Sequence, residues 1–263
     1  MASAAQAKND PIPQELIAEL DKAAVACRIL EMEGHGCKTL GHVAVRDPDG
    51  RGFWLKRWGI TFGEVFDHRD FILLDFAGKQ IFGDGRRHSE WPIHSEILKL
   101  RPDINVSMHS HPQYARIFSA VTEPLRPVSN AGSYFETPPP RFETTSELVR
   151  TVEVGQEIAE LLGQHLAIFL RNHGVVFCGD SIAKATIIGL HLEEACREQL
   201  AIQASGMSWS WPEGEEQARK FRGIGQPRGV EQFFEYLCRK LALVEALGDP
   251  SFPGKPIAIK AEP

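Results

Sequence analysis

Three features of the 263-residue sequence predict an α/β fold: one three-layer domain with a mixed, mainly antiparallel sheet between helices on both faces. Apolar positions switch between a spacing of three to four residues and a spacing of two, so helices and strands interleave. A turn signal, Asp47-Pro48-Asp49-Gly50, joins two strand-like runs into a hairpin, which a doubly wound parallel sheet would not contain. No composition shift marks a linker and no internal repeat is apparent. A single domain is therefore expected over 14–247, with a mobile arm over 1–13 and a tail over 248–263.

The first helix starts at Gln14 and carries Leu16, Ile17, Leu20, Ala24, Cys27 and Leu30 at helical spacing, up to Gly34-His35-Gly36. His42–Arg46 alternates as a strand, and Gly52–Lys56 is its hairpin partner. Asp70–Phe76 reads as an apolar strand turning at Ala77-Gly78 into Gln80–Phe82. A short helix from Trp91 carries Ile93, Ile97, Leu98 and Leu100 and closes at Arg101-Pro102-Asp103. Ile104–His111 is a strand, and Pro112 opens a helix through Ala120. Pro- and Gly-rich Ala131–Thr144 reads as a surface loop, and Val152–Leu162 as a helix. Leu166–Leu170 and Val175–Phe177 are strands broken by Arg171-Asn172-His173-Gly174. Ser181 is placed to cap a long helix, Ile182 to Ser205. Met207–Gly229 shows no clear period, and Val230–Leu247 is a last amphipathic helix.

Composition excludes several classes. With 29 Lys+Arg against 35 Asp+Glu, the net charge of −6 gives no basic surface for nucleic acid. No apolar run reaches the roughly 18 residues that a membrane span requires, and the first residues lack an export signal. The expected location is the cytoplasm. The five scattered cysteines contain no Cys-x-x-Cys, so neither a disulfide framework nor a cysteine metal site is expected.

Histidines carry the chemical signal. His109 and His111 stand two apart in a strand, so their rings leave the same face. His173 lies in a turn between two apolar strands, and Glu90 opens the helix before the His-x-His strand. Three imidazoles with one open position make a catalytic metal site. Spacing alone leaves two hydrogen-bonded histidines the plainer reading.

The wider pattern changes that balance. Ser89-Glu90, Arg101-Pro102-Asp103, His109-Ser110-His111-Pro112 and Asn172-His173-Gly174 occur in an order and spacing that resemble the class II aldolase/adducin family. The resemblance runs from about Leu16 to Ser205 and includes the strand at Gly41–Arg46. It implies a class II aldolase-like fold and one divalent metal ion per subunit on His109, His111 and His173. Zinc stands ahead of manganese, iron or cobalt, and Glu90 takes the acid/base role. Glu96, which repeats the His-Ser-Glu tripeptide in mid-helix, is expected to be solvated or ion-paired, and His94 to support Glu90 or assist proton transfer. The resemblance also implies a homo-oligomer, a tetramer, with each site at a subunit boundary. Trp209 and Trp211, in a segment without a period to bury them, agree with an assembly. Tyr236 is a candidate proton donor to a neighbour's site.

The chain departs from family members that bind sugar phosphates through small hydroxyl and amide side chains. It has Leu40-Gly41-His42, Arg57-Trp58-Gly59 and His88-Ser89 at the corresponding places. Arg57 or Lys56 can pair with a carboxylate, and Trp58 offers a flat apolar wall. His42, Arg57, Trp58, His88 and Ser89 are thus candidate substrate residues. The resemblance narrows to decarboxylases of hydroxylated aromatic acids such as dihydroxyphthalates, with a small aromatic carboxylate as substrate. Alternatives are an aldolase or epimerase on a hydroxy-carbonyl or sugar-phosphate compound, an iron-dependent aromatic oxygenase, and an adducin-like scaffold without activity.

Overall fold

Short apolar runs, hidden on both faces, build the middle layer of the computed structural model, which describes residues 12–248. The expected arm and tail lie outside the described residues except for Ile12, Pro13 and Gly248. The strands are β1 (His42–Arg46), β2 (Phe53–Lys56), β3 (Phe71–Leu74), β4 (Gln80–Phe82), β5 (Val106–Ser110), β6 (Arg141–Phe142), β7 (Ala167–Leu170) and β8 (Gly174–Gly179). They form one sheet in the order β4-β3-β2-β1-β5-β8-β7-β6, antiparallel throughout except where β6 meets β7.

The two-residue period sorts side chains between two cores. Val43, Val45, Trp54, Met108, Phe169 and Phe177 face α1 (Gln14–Met32), α3 (Gln113–Phe118), α5 (Ile182–Ser205) and α7 (Pro227–Leu247). Ala44, Phe53, Leu55, Ile72, Ile168 and Val176 face α2 (Trp91–Leu100) and α4 (Val152–Leu162). Glycine lets α4 lie close on α2, because a Cβ at Gly155 would stand 2.7 Å from the Pro92 carbonyl oxygen. Ser181 caps α5 as expected, its Oγ accepting from the Lys184 N–H at 3.2 Å. Arg46 ties β1 to the turn after α2, donating to the carbonyls of Leu98 (2.7 Å), Arg101 (2.9 Å) and Ile104 (2.7 Å).

Several expected boundaries shift. The strand expected over Asp70–Phe76 covers only Phe71–Leu74, because Asp70 ends a 3₁₀ turn and Asp75 starts the β3–β4 turn. The segment Ala131–Thr144 is not a loop over the surface: Ala131, Ser133, Phe135 and Phe142 are buried, and Arg141–Phe142 adds β6 to the sheet edge. The stretch Met207–Gly229 contains α6 (Gly214–Ile224), and α7 begins three residues before Val230. Only Gln217 of α6 is buried, so there is little apolar signal to reveal the helix. The rings of Trp209 and Trp211 lie 4.9 Å apart, tilted by 43°, with the Arg126 guanidinium 4.8 Å from the Trp211 ring. Both indoles are half-buried on their own chain, where the sequence suggested exposed rings.

His191, on α5, stacks on Tyr134 at 3.8 Å, and burial pushes its pKa down to about 4. In the unfolded chain its ordinary value is about 6.5, so above that pH the ring is neutral in both states. Below it the unfolded chain binds the proton first, and stability falls as pH drops toward the folded value. His191→Phe should therefore lose less melting temperature than the wild type between about pH 6.5 and pH 4.5. Parallel acid limbs for the two proteins in thermal melts would contradict this.

Candidate metal centre

The register of β1 on β5 pairs His42 with His109, and the period of two turns both rings to the α2 face. His109 Nδ1 hydrogen-bonds the Val175 carbonyl of β8 at 2.9 Å. A carbonyl only accepts, so Nδ1 carries the proton and Nε2 of the neutral ring is a lone pair. His111 follows β5 directly, and its Nε2 lies 3.0 Å from His109 Nε2. His173 closes the group from the β7–β8 turn, where Asn172 takes the left-handed conformation at φ 56° that asparagine tolerates. The turn sits tightly against the site: a Cβ at Gly174 would come 2.7 Å from the His111 ring.

One nitrogen from each of His109, His111 and His173 lies within 4.8 Å of the other two. Burial, reinforced by the neighbouring imidazoles, pushes His109 well below its usual pKa and His111 down to about 4. Burial lowers His173 as well, and its Nε2 is buried without a hydrogen-bond partner. Three neutral imidazoles whose nitrogens converge fit a divalent transition-metal ion. The carbonyl behind His109 supplies the outer hydrogen bond that such ligands commonly make.

Glu90 stands at the N-cap position of α2. Its Oε1 accepts from the Val149 N–H at 2.9 Å and lies 3.6 Å from His173 Nε2; its Oε2 is 4.0 Å from His42 Nε2. Burial raises its pKa to about 7 against the opposing Val149 N–H and Arg150 charge. A carboxyl with that value both gives and takes a proton near neutrality. Glu90, His42 and His109 form a second trio within 4.8 Å, sharing His109 with the first.

Behind His42 runs a fully buried chain. His42 Nδ1 meets His94 Nε2 at 2.6 Å, and His94 Nδ1 meets Ser107 Oγ at 2.8 Å. His94 thus bears on His42 and not on Glu90 directly. The His88 ring lies 4.6 Å from that of His42, while Ser89 is exposed beside them. Arg57 is engaged by Asp70 at 3.1 Å, and Trp58 is half-exposed with the Arg86 guanidinium 5.2 Å from its ring. Lys56 is buried and donates to the Ile60 carbonyl at 2.7 Å. Glu96 is ion-paired with Lys99 at 2.7 Å, but buried where solvation was the other expectation. Tyr236 lines a cleft of about 480 Å³ with His191, Arg197 and Lys240, apart from the triad of its own chain. The Val149 contact and the Ser107 link had no signal in the sequence, since each joins residues far apart in the chain. Burial pushes the thiols of Cys27 and Cys178 up to about 12, consistent with inert packing.

A 3,4-dihydroxyphthalate decarboxylase of Arthrobacter keyseri is 27% identical over 199 residues, 70% of this chain and 78% of that one. A 4-hydroxy-3-prenylphenylpyruvate oxygenase/4-hydroxy-3-prenylbenzoate synthase of Streptomyces roseochromogenus subsp. oscitans is 31% identical over 170 residues, 63% of this chain and 61% of that one. Among solved structures, L-fuculose 1-phosphate aldolase from Glaciozyma antarctica PI12 superposes with a TM-score of 0.73 at 26% identity, covering 95% of this chain and 98% of that one. The family model for the class II aldolase and adducin N-terminal domain matches residues 21–200, well over half the sequence, and the chain belongs to that family.

Proposed function

We propose that this protein is a metal-dependent carbon–carbon lyase that decarboxylates a hydroxylated aromatic carboxylic acid. The observation that carries the reading is the convergence of three neutral imidazoles beside a buried carboxyl that keeps its proton near pH 7. His109, His111 and His173 would hold one divalent ion per subunit, zinc ahead of manganese, iron or cobalt. When bound, such an ion acts as a Lewis acid for negative charge on a substrate oxygen. The similarity to a 3,4-dihydroxyphthalate decarboxylase supports the substrate class. So does the lack of small hydroxyl and amide side chains at 40–42, 57–59 and 88.

Glu90 supplies the proton. As the ring–carboxylate bond breaks, its electron pair stays on the ring carbon and carbon dioxide leaves. Glu90 in its acid form gives its proton to that carbon and is reprotonated from solvent, so one proton is consumed for each carbon dioxide released. The Val149 N–H, bonded to Oε1, holds the carboxyl in place. His42, His88, Ser89, Arg57 and Trp58 are the candidate substrate contacts, with the His88 ring 4.6 Å from that of His42. A second reading, an aldolase or epimerase on a hydroxy-carbonyl compound, is favoured by the likeness to L-fuculose 1-phosphate aldolase. Carbon dioxide release from ortho-hydroxy aromatic acids, screened against a sugar phosphate with several added metals, separates the two.

His109→Ala, His111→Ala and His173→Ala should each lose most bound metal in elemental analysis, whereas Glu96→Gln retains it. Full metal content in the three histidine variants would remove the ligand assignment. Glu90→Gln keeps the shape and should keep the metal while turnover falls roughly 10²–10⁴-fold. Near-normal turnover would move the acid role to another group. The active unit is proposed to be a homotetramer in which Tyr236 reaches a neighbouring site. Light scattering that finds a fully active 29.3 kDa monomer would defeat that proposal.

A further inference from the structure

Of the two histidines on the His-x-His segment, His111 lies just outside the sheet. Strand β5 ends at Ser110, whose pairing with Val175 is the last rung of the β5–β8 ladder. His109 is fixed from behind by the Val175 carbonyl, whereas His111 Nδ1 is buried without a hydrogen-bond partner. The close approach of Gly174 limits the His111 ring from one side. Its direction otherwise depends on the backbone that follows, which runs through Pro112 straight into α3.

Helix α3 has only six residues, too few to be stable by itself. Its first N–H groups lack acceptors within the helix, and Pro112 at the N-cap has no side-chain acceptor to offer. The acceptor comes from α5, 79 positions further along the chain. Glu193 takes the Tyr114 N–H on Oε1 at 2.8 Å and the Ala115 N–H on Oε2 at 2.6 Å. Both are charge-assisted bonds, stronger than neutral ones, and the carboxylate faces the positive end of the helix. Helix α5 is itself seated on the sheet: one turn before Glu193, a Cβ at Gly189 would stand 2.5 Å from the Phe177 ring of β8. The path therefore closes. Strand β5 leads through His111 to α3, Glu193 ties α3 to α5, α5 lies on β8, and β8 pairs with β5.

We propose that Glu193 is a positioning residue for the metal centre: by capping α3 from α5 it fixes the backbone beyond His111 and so aims that imidazole at His109 and His173. The proposal rests on the metal reading above and gives Glu193 no contact with metal or substrate.

The test compares two cap losses in the full chain, Glu193→Gln and Ser181→Ala. An amide keeps one acceptor oxygen but turns a donor toward the second N–H, so Glu193→Gln leaves α3 half-capped. Ser181 caps α5 beyond Gly179, at the end of β8 remote from His173, so Ser181→Ala weakens a helix end without touching the path to His111. Zinc affinity is read by competition with a chromophoric chelator. Glu193→Gln should raise the zinc Kd roughly tenfold, and Ser181→Ala should leave it within about twofold. An unchanged Kd in Glu193→Gln, or an equal rise in Ser181→Ala, overturns the proposal and leaves the ligand assignment in place. A wild type that binds no zinc overturns the zinc reading and this proposal together. Hydrogen exchange on the wild type needs no variant. Coupling between cap and metal is reciprocal, so zinc should slow exchange at the Tyr114 and Ala115 amides roughly tenfold more than at the Lys184 amide that Ser181 caps. Equal slowing at all three amides overturns the proposal.

Discussion

The hydrogen bond from His109 Nδ1 to the Val175 carbonyl joins the chemistry of the site to the sheet. It decides which nitrogen of His109 is a lone pair, and it does so from the backbone of the next strand, which cannot drift without breaking the β5–β8 ladder. The same ladder pairs Ser110 with Val175 and so places the β7–β8 turn, with His173 in it, opposite His111. On the other flank, β1 pairs His42 with His109. The proposed ligands and their neighbours are thus held by the register of three adjacent central strands. A slip of one residue would turn His109 and His42 to the opposite core.

Burial then sets the protonation of the whole group. His35, His42, His88, His94, His109, His111 and His173 are all held below the ordinary histidine value, with desolvation the first cause in each. The same removal from water pushes the Glu90 carboxyl the other way, to about 7. A single physical condition thus leaves basic nitrogens free of protons and a carboxyl that carries its proton about half of the time near pH 7. These are the states that ligands and a proton donor require at neutral pH. The cost falls on polar atoms left without partners, His88 Nε2 and His173 Nε2 among them.

Much of this was legible in the sequence, for physical reasons. Strands such as Phe71–Leu74 and Gly174–Gly179 are buried on both sides, so they read as short apolar runs bounded by turn residues. His109 and His111 could be grouped because two residues in a strand share a face. Three kinds of feature stayed hidden. Helix α6 buries almost nothing, so its period is faint. The segment holding β6 is rich in Pro and Gly, yet its pairing with β7 is a long-range event that local composition does not encode. The polar contacts of the site, Val149 to Glu90 and Ser107 to His94, join residues 59 and 13 positions apart and depend on how α2 lies on the sheet.

The relatives and neighbours include a decarboxylase, an oxygenase/synthase and an aldolase, so the fold alone does not select the reaction. Selection has to come from groups that meet the substrate but do not belong to the frame that orients the triad. In this chain the frame consists of His109, His111, His173, Glu90 and the strands beneath them. His42 is half outside it, with one nitrogen committed to His94 and the other toward Glu90. His88, whose ring lies 4.6 Å from that of His42, lies outside it. His88 belongs to no strand, so changing it disturbs no strand pairing. His109 is paired with both β1 and β8. A site divided in this way separates the residues proposed for the metal and the acid from those proposed for the substrate, because the two sets rest on different hydrogen bonds.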